Sequence, residues 1–173
     1  GNISRIAGIK GSGTWNQFNG PALSTNINGP AQIVCDNSGN LYFCDLSNHQ
    51  IRRLYKDGSN VWQIETIAGG NGSYGGGYGD LVGTNAVFNG PYGVTLDGSG
   101  NLFVLDNGNN MVRKIVLATK VVTTIAKQGG TGYFDGTGTD VSLNIGPYSQ
   151  ITYDGSANLF FGEWNLGRLW RFN

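Results

Sequence analysis

The chain has 173 residues, in which eleven Lys and Arg are balanced by eleven Asp and Glu, and its thirty glycines far outnumber its four prolines. This length suits one domain with a buried core. The sparse, balanced charge argues against nucleic acid or an anionic membrane surface as a partner. No apolar run approaches the roughly twenty residues that a membrane span requires, so we expect a soluble domain with many tight turns.

The first residues, "NISRIAG" from Asn2, have the composition of a short strand. The chain begins at Gly1 without a signal sequence, which favours a processed product or part of a longer protein. Asn2-Ile3-Ser4 and Asn71-Gly72-Ser73 match the acceptor pattern for N-linked sugars. Asn2 and Asn71 are therefore candidate glycosylation sites, and both permit secretion.

The first long unit contains "CDNSGNLYFCDLSNHQIRRL" from Cys35, with the only histidine and both cysteines. It predicts a strand, an Asp-Asn-Ser-Gly-Asn turn, a second strand, a polar turn and a third strand, and "VWQIETIAGG" supplies a fourth. If Asp36 to Asn40 form the turn, Cys35 opposes Leu41 and Cys44 points to the other face of the sheet. We therefore expect two separate, buried thiols and no disulfide between them.

The same unit recurs twice. The second copy is "GPYGVTLDGSGNLFVLDNGNNMVRKI" from Gly90, followed by the strand "KVVTTIAKQGG", and the third is "GPYSQITYDGSANLFFGEWNLGRLWRF" from Gly146. A period of about sixty residues with four strands is typical of a propeller blade. We predict one all-β unit over 1–173, with a closing strand at 1–8 and three blades at 28–69, 89–129 and 144–173. The last blade lacks its fourth strand, and about two extra residues around 145–153 suggest that it is atypical.

Acidic residues recur at fixed spacing in the three copies: an Asp, an Asn four residues later, and an acid five residues after that. These acids are Asp36, Asp97 and Asp154 in the first turn, and Asp45, Asp106 and Glu163 after it. A hard cation such as calcium would need these oxygens to converge, whereas the turns of a propeller lie in different blades. We expect blade scaffolding, in which the first Asp accepts backbone N–H groups and the following Asn or Gly has positive φ.

This pattern resembles the NHL-repeat family of β-propellers. The resemblance rests on Gly-Pro, Asp-x-x-Gly-Asn, an aromatic strand ending in Asp, and Asn48-His49, and it extends over nearly the whole chain. The His position is Asn110 in the second copy and Gly167 in the third. The resemblance implies blades of four strands each, and six blades per propeller is a common number in this family. Some relatives bind RNA through a basic face, a role that the balanced charge disfavours here.

Catalytic patterns are weak. "GNGSYG" from Gly70 matches the dinucleotide fingerprint, but no helix follows it. Any catalytic triad would depend on His49, which the repeat already explains, and a catalytic zinc needs more than one histidine. We therefore expect no enzymatic activity, no cofactor and no metal. The alternative is half of a six-bladed enzyme of the lyase or lactonase type.

Aromatic residues in the glycine-rich loops are candidates for ligand binding. Rigid rings on polar loops could stack on sugars or on a protein partner, or could instead fold back over the loops. These candidates are Trp15, Tyr74, Tyr78, Tyr133 and Phe134.

The two chain ends complement each other, since a strand is missing at one end and an isolated strand stands at the other. We expect the first strand to complete the last blade of a neighbouring copy, because an unpaired strand edge favours pairing with another chain. The candidate assembly residues are Ile3, Arg5, Ile6, Leu169, Trp170 and Phe172. Two copies would give a six-bladed ring; a filament, or a longer chain of six blades, are the alternatives. The predicted function is a non-catalytic scaffold or binding module, extracellular or at the cell surface, with a glycan- or protein-binding receptor as the competing possibility.

Overall fold

The described part of the chain contains twelve strands in three antiparallel sheets. The computed structural model describes residues 1–9, 19–70, 79–127 and 141–173. The strands are β1 Gly20–Pro21, β2 Pro30–Cys35, β3 Leu41–Asp45, β4 Gln50–Lys56, β5 Trp62–Gly69, β6 Pro91–Leu96, β7 Asn101–Asp106, β8 Met111–Val116, β9 Val121–Lys127, β10 Ile151–Tyr153, β11 Leu159–Glu163 and β12 Arg168–Phe172. Short 3-10 turns, and no α-helix, occur in these described ranges, so none of their helical segments could cross a membrane.

Each sheet is a meander of consecutive strands, apart from the two-residue β1, which pairs with β5 at the edge of the first sheet. The first has the order β1-β5-β4-β3-β2, the second β6-β7-β8-β9 and the third β10-β11-β12. The first strands of the three repeats lie innermost, where β2 packs beside β6 and β6 beside β10. The all-β prediction is confirmed, and the arrangement fits the blades of a β-propeller.

Apolar side chains fill the space between neighbouring sheets. One cluster joins the first and second sheets, for example through Cys44 and Ile51 against Val104. A second joins the second and third sheets, through Leu105 and Val112 against Phe161. Alternation along each central strand sends residues to both neighbours, so every sheet depends on the next for burial of one face.

The first turn of each repeat is built by its aspartate. Asp36 Oδ1 accepts the N–H groups of Ser38 and Asn40, both at 2.9 Å, and Oδ2 accepts the Asn40 side-chain amide at 2.8 Å. Asp97 and Asp154 make the same set of bonds in the other two copies. The positive φ expected in this turn falls on the residue before the Asn, which is Gly39, Gly100 and Ala157.

Residues 1–8 pair with none of the described strands of the single chain. Their expected pairing with a neighbouring copy stays a prediction. One expectation was wrong in part. Cys44 is buried as expected and Cys35 does oppose Leu41, but Cys35 is exposed. The face of β2 that carries Cys35 is the outer face of the first sheet, which no other sheet covers.

The third repeat differs from the others at its inner strand. β10 has three residues, whereas β2 and β6 have six. In every copy the acid that ends the second strand accepts a hydrogen bond from the backbone N–H of a preceding Asn. The Asn lies 17 residues before the acid in the first two copies and 19 residues before it in the third. The extra residues flank Gly146 and place Tyr148 at a φ of 71°.

Ala157 has a strained backbone conformation, with a φ of 85° at a position where the other two copies have Gly39 and Gly100. A Cβ atom at either glycine would contact no other atom within 4 Å, so the Ala157 side chain makes no packing contact that its removal would lose. Ala157→Gly should stabilise the chain by about 1 kcal/mol in chemical denaturation, because a side chain in this region costs on the order of 1–2 kcal/mol. The control Ser156→Gly, at a neighbouring position without positive φ, should be neutral or destabilising; an Ala157→Gly variant no more stable than this control would contradict the interpretation.

Candidate functional site

A buried acid at the end of the second strand organises each repeat. Asp45 Oδ1 accepts the N–H of Asn28 at 2.7 Å, and its Oδ2 accepts side-chain amides from Asn48 and Gln50, both at 2.9 Å. Asp45 is fully buried, and so is Arg52, whose guanidinium lies 3.8 Å from it. Asn28 lies in the segment that leads into the blade, whereas Asn48 follows β3 and Gln50 and Arg52 lie on β4, so the acid ties the entering segment to the middle of the blade.

Asp106 repeats this arrangement with a closer ion pair. It accepts the N–H of Asn89 at 2.7 Å and the amide of Asn109 at 2.8 Å, and Arg113 Nη1 lies 2.9 Å from its Oδ2. Arg113 also donates to the Gly79 carbonyl and to Asp80, which ties the preceding loop to the blade. Burial raises the pKa of Asp106 to about 6, although these hydrogen bonds and the Arg113 charge act in the opposite direction.

Glu163 takes the same place in the third repeat with different partners. Its Oε1 accepts the N–H of Asn144 and its Oε2 accepts from Arg168 Nε and, at 3.2 Å, from the Trp170 indole. The longer side chain of Glu accommodates the extra residues of this copy. The three recurring acids are thus occupied by local bonds in three separate blades.

His49 connects the first blade to the second. It lies in the left-handed region with a φ of 52°, as do Asn110 at 53° and Gly167 at 62°. The His49 Nδ1 accepts the N–H of Gly90 at 2.9 Å, and the Asn110 Oδ1 accepts the N–H of Ile145 at 2.8 Å. The residues found at this position are therefore those that tolerate positive φ, and the first two also provide an acceptor for the next blade.

The described residues contain no group of three or more His, Cys, Asp or Glu side chains that could hold a metal ion. Burial lowers the pKa of His49, and its Nδ1 already accepts a backbone bond. The recurring polar residues in the described ranges therefore serve the connections between blades.

The open edge of the third sheet is the most distinctive surface. β12 pairs with β11, and no described strand pairs with its other edge. A groove of about 350 Å³ runs along this edge, lined by Trp170 and Phe172 of β12 and by Val141 and Leu143 of the preceding loop. Leu169 is 90% exposed beside it. In the other two sheets a fourth strand occupies the corresponding place.

The N-terminal segment packs on the first sheet. Ile6 and Ala7 are partly buried against the cluster of Phe43, Leu54 and Ile64 on the outer face of that sheet. The Gly8 N–H donates to the Ala22 carbonyl at 2.9 Å. Nearer the N terminus, Ile3 is fully exposed.

The candidate residues from the sequence fall into three groups. Those of the chain ends lie at two surfaces of this structure, with Ile3, Arg5 and Ile6 beside the first sheet and the remaining three on β12. Asn2 is exposed. The loop aromatics and one acceptor asparagine lie outside the described residues: Trp15, Asn71, Tyr74, Tyr78, Tyr133 and Phe134. Sequence reasoning missed Val141 and Leu143 as lining of the groove, and their alternation in "VSLNI" was the signal available.

No protein-family model matches the chain. NHL repeat-containing protein 2 from Gallus gallus is 34% identical over 104 residues, which are 60% of this chain and 13% of that protein. The repeats of this chain are similar to repeats of that protein. His49 acts through its left-handed backbone conformation and one interblade hydrogen bond.

Solved structures support the same fold. A structural genomics protein of unknown function from Bacteroides thetaiotaomicron VPI-5482 is 25% identical with a TM-score of 0.67, over 86% of this chain and 36% of that one. An auxiliary nutrient binding protein from Bacteroides ovatus ATCC 8483 is 20% identical with a TM-score of 0.66, over 88% and 39%. The chain thus spans little more than a third of each of these two structures.

Asp106 should give the stability of the protein a measurable pH dependence. Its pKa is about 6 in the folded chain against an ordinary value of 3.8, so the stability it contributes is fully present below pH 3.8 and is lost as the pH rises through 6. Relative to Asp106→Asn, the wild type should lose roughly 2–3 kcal/mol of unfolding free energy between pH 4 and pH 7. Denaturation curves at several pH values measure this difference.

Asp154→Asn is the matched control. The side-chain amide of Asn158 and the N–H of Ser156 lower the pKa of Asp154, so its stabilisation is present above pH 3.8 and lost as the pH falls. Its difference from the wild type should therefore be flat between pH 4 and pH 7. An equally flat difference for Asp106→Asn would show that Asp106 titrates normally.

Proposed function

We propose that this chain is a non-catalytic binding module whose propeller is completed by strand exchange between copies. The segment 1–8 of one copy becomes the fourth strand of the third blade of its neighbour. The observation that carries this proposal is the position of Ile6 and Ala7. Ile6 and Ala7 pack on the first sheet, and the same dipeptide in β5, Ile67 and Ala68, packs on the second sheet. Residues 1–8 therefore lie against the first sheet as the fourth strand of one blade lies against the next blade.

The register of the other blades defines the proposed pairing. Aligning "RIAG" with "TIAG" places Ile3 at the position of Ile64, which pairs with Leu54 and is 1% exposed. The corresponding partner on β12 is Phe172, because Leu159 pairs with Phe172 as Leu41 pairs with Leu54. By the same alignment Ala7 faces Leu169.

Burial favours this exchange. Ile3 and Leu169 are the two most exposed large apolar residues of the described chain, and the proposed strand would cover both. The groove beside β12 has mostly apolar walls, with Arg171 as its charged residue, and β12 has a backbone edge that no described strand pairs with, which a donated strand can satisfy. Arg5 is the only charged residue in the donated segment, so little charge would enter the groove.

The outer faces of the first and third sheets complement each other in the same way. Ile33 is 54% exposed, but its equivalent in the second sheet, Val94, is fully buried against the first sheet. Phe160 is 39% exposed, and its equivalent Tyr42 is buried in the junction between the first two sheets. Joining these two faces in both directions between two copies gives a closed ring of six blades; joining them in one direction only gives a filament.

A binding role outside the cytoplasm is part of this proposal. The recurring acids and His49 are occupied by structural hydrogen bonds, which leaves them unsuited to chemistry. One of the similar structures is named an auxiliary nutrient binding protein, and Asn2 offers an exposed sugar-acceptor position. Loop aromatics remain the candidate contacts for a glycan or protein ligand, with nucleic acid disfavoured by the balanced charge.

The mass of the 173-residue chain in solution tests the exchange. We expect a species of twice the chain mass by light scattering on a sizing column, and Ile3→Asp or Leu169→Asp should shift it to a single copy by placing a charge in the paired strands. Leu81→Asp is the control, because Leu81 is 52% exposed on a loop of the second blade. A folded wild-type monomer at all concentrations would refute strand exchange, and mass that grows without limit would replace the ring by the filament.

Gly167 offers a gain-of-function variant. In the first two blades this position accepts an N–H group from the next blade, through His49 and Asn110, and glycine lacks the acceptor. Gly167→Asn should keep the left-handed conformation and add one such bond at each junction between copies, tightening self-association about fivefold per bond of about 1 kcal/mol and about 30-fold for the two junctions of a closed dimer. Gly167→Ala, which adds no acceptor, should not tighten it; equal dissociation constants for Gly167→Asn and the wild type would contradict this role.

A further inference from the structure

A row of three aromatic side chains lies at the end of the blades where the Gly-Pro segments begin. The Tyr92 and Tyr148 rings meet edge to face with centroids 5.6 Å apart, and Tyr148 and Trp164 do so at 6.1 Å. Tyr148 is 63% exposed and Trp164 is 68% exposed. Large rings are rarely left so exposed next to one another without a partner, because their apolar surface favours burial.

The backbone holds Tyr148 in this exposed position at a cost. Its φ of 71° lies in the left-handed region, where a residue with a large side chain is uncommon. The equivalent Tyr92 has no positive φ, and the difference coincides with the additional residue between Tyr148 and Ile151. Extra residues that redirect a side chain and local strain of this kind are both concentrated at binding sites.

A cleft of about 350 Å³ opens beside these rings. Its walls include Tyr148 and Trp164 on the apolar side, and Ser149, Gln150 and Arg168 on the polar side. The Ser149 hydroxyl is buried and has no hydrogen-bond partner among the described residues. A buried hydroxyl without a partner is unfavourable, so a ligand in the cleft that exchanged a hydrogen bond with it would gain affinity.

We infer that this cleft is a binding site for a pyranose saccharide. A sugar ring has an apolar face of C–H groups that can stack on an exposed Trp or Tyr, and a rim of hydroxyls that both donate and accept. The Ser149 hydroxyl and the Gln150 amide have the same dual capacity. A volume of about 350 Å³ suits one or two sugar rings.

The site does not require a six-bladed ring, and it shares Gly167 and Leu169 of its wall with the surface that the proposed ring would use. Leu46 and Asn107, the equivalents of Trp164, each contact the Gly-Pro segment of the next blade. In a ring, that segment would come from the neighbouring copy and would present Ala31 where the second and third blades present tyrosine. The small side chain of Ala31 would cover less of the Trp164 ring than a tyrosine would.

Calorimetric titration with the glucose hexasaccharides maltohexaose and cellohexaose, preceded by a glycan array, tests the inference. The first repeat supplies the substitutions, because it has Leu46 at the Trp164 position and Ala31 at the Tyr148 position. Trp164→Leu and Tyr148→Ala should each weaken binding of the array-selected sugar at least tenfold. Tyr55→Ala is the matched control, since Tyr55 lies on β4 of the first blade, away from the cleft.

Mass and thermal unfolding of each variant separate this inference from the proposed assembly. Lost sugar binding with unchanged mass and unfolding temperature supports the cleft, whatever the oligomeric state of the wild type. Undiminished binding by both variants would overturn it, and so would a wild-type chain that binds no array glycan. If Trp164→Leu alone fails to fold, Tyr148→Ala decides the question.

Discussion

Every blade depends on one buried acid at the end of its second strand. In the first two repeats the carboxylate accepts hydrogen bonds from a backbone N–H of the segment that leads into the blade and from an Asn amide of the turn that follows the acid. It also forms an ion pair with an arginine on the third strand. Removing such a charge pair from water is costly, and the pair is tolerated because the remaining oxygen lone pairs also find donors. The acid therefore fixes the path of the chain between blades as well as the blade itself.

The junctions between blades combine this polar frame with apolar packing. His49 and Asn110 each pass a hydrogen bond to the next blade, and the apolar clusters on both sides of the second sheet are complete. The first and third sheets each have one such face that none of the other described sheets covers. Since a propeller repeats the same interface at every step, these two faces are the ones on which assembly or further blades would build.

The third repeat departs from the pattern in a coordinated way. This repeat has two additional residues, a shorter β10, and Glu in place of Asp as the buried acid. It also has a left-handed Tyr148 and an exposed Trp164. Gly167 removes the interblade acceptor in the same copy. The changes are concentrated at one end of one blade, whereas the first two repeats keep almost the same hydrogen bonds. Such a distribution is typical of a scaffold that conserves its frame and varies one surface.

The sequence by itself determined the all-β class, the three copies, the turn aspartates and the register that sets Cys35 against Leu41, because each follows from local alternation and from turn chemistry that recurs. Only the tertiary structure decided that Cys35 is exposed, that residues 1–8 pair with none of the described strands, and that Ile6 and Ala7 lie on the first sheet. These outcomes depend on which faces and edges have neighbours. The exposure of Tyr148 and Trp164 was hidden for the same reason, since a strand pattern assigns a residue to a face but cannot say whether another blade covers it.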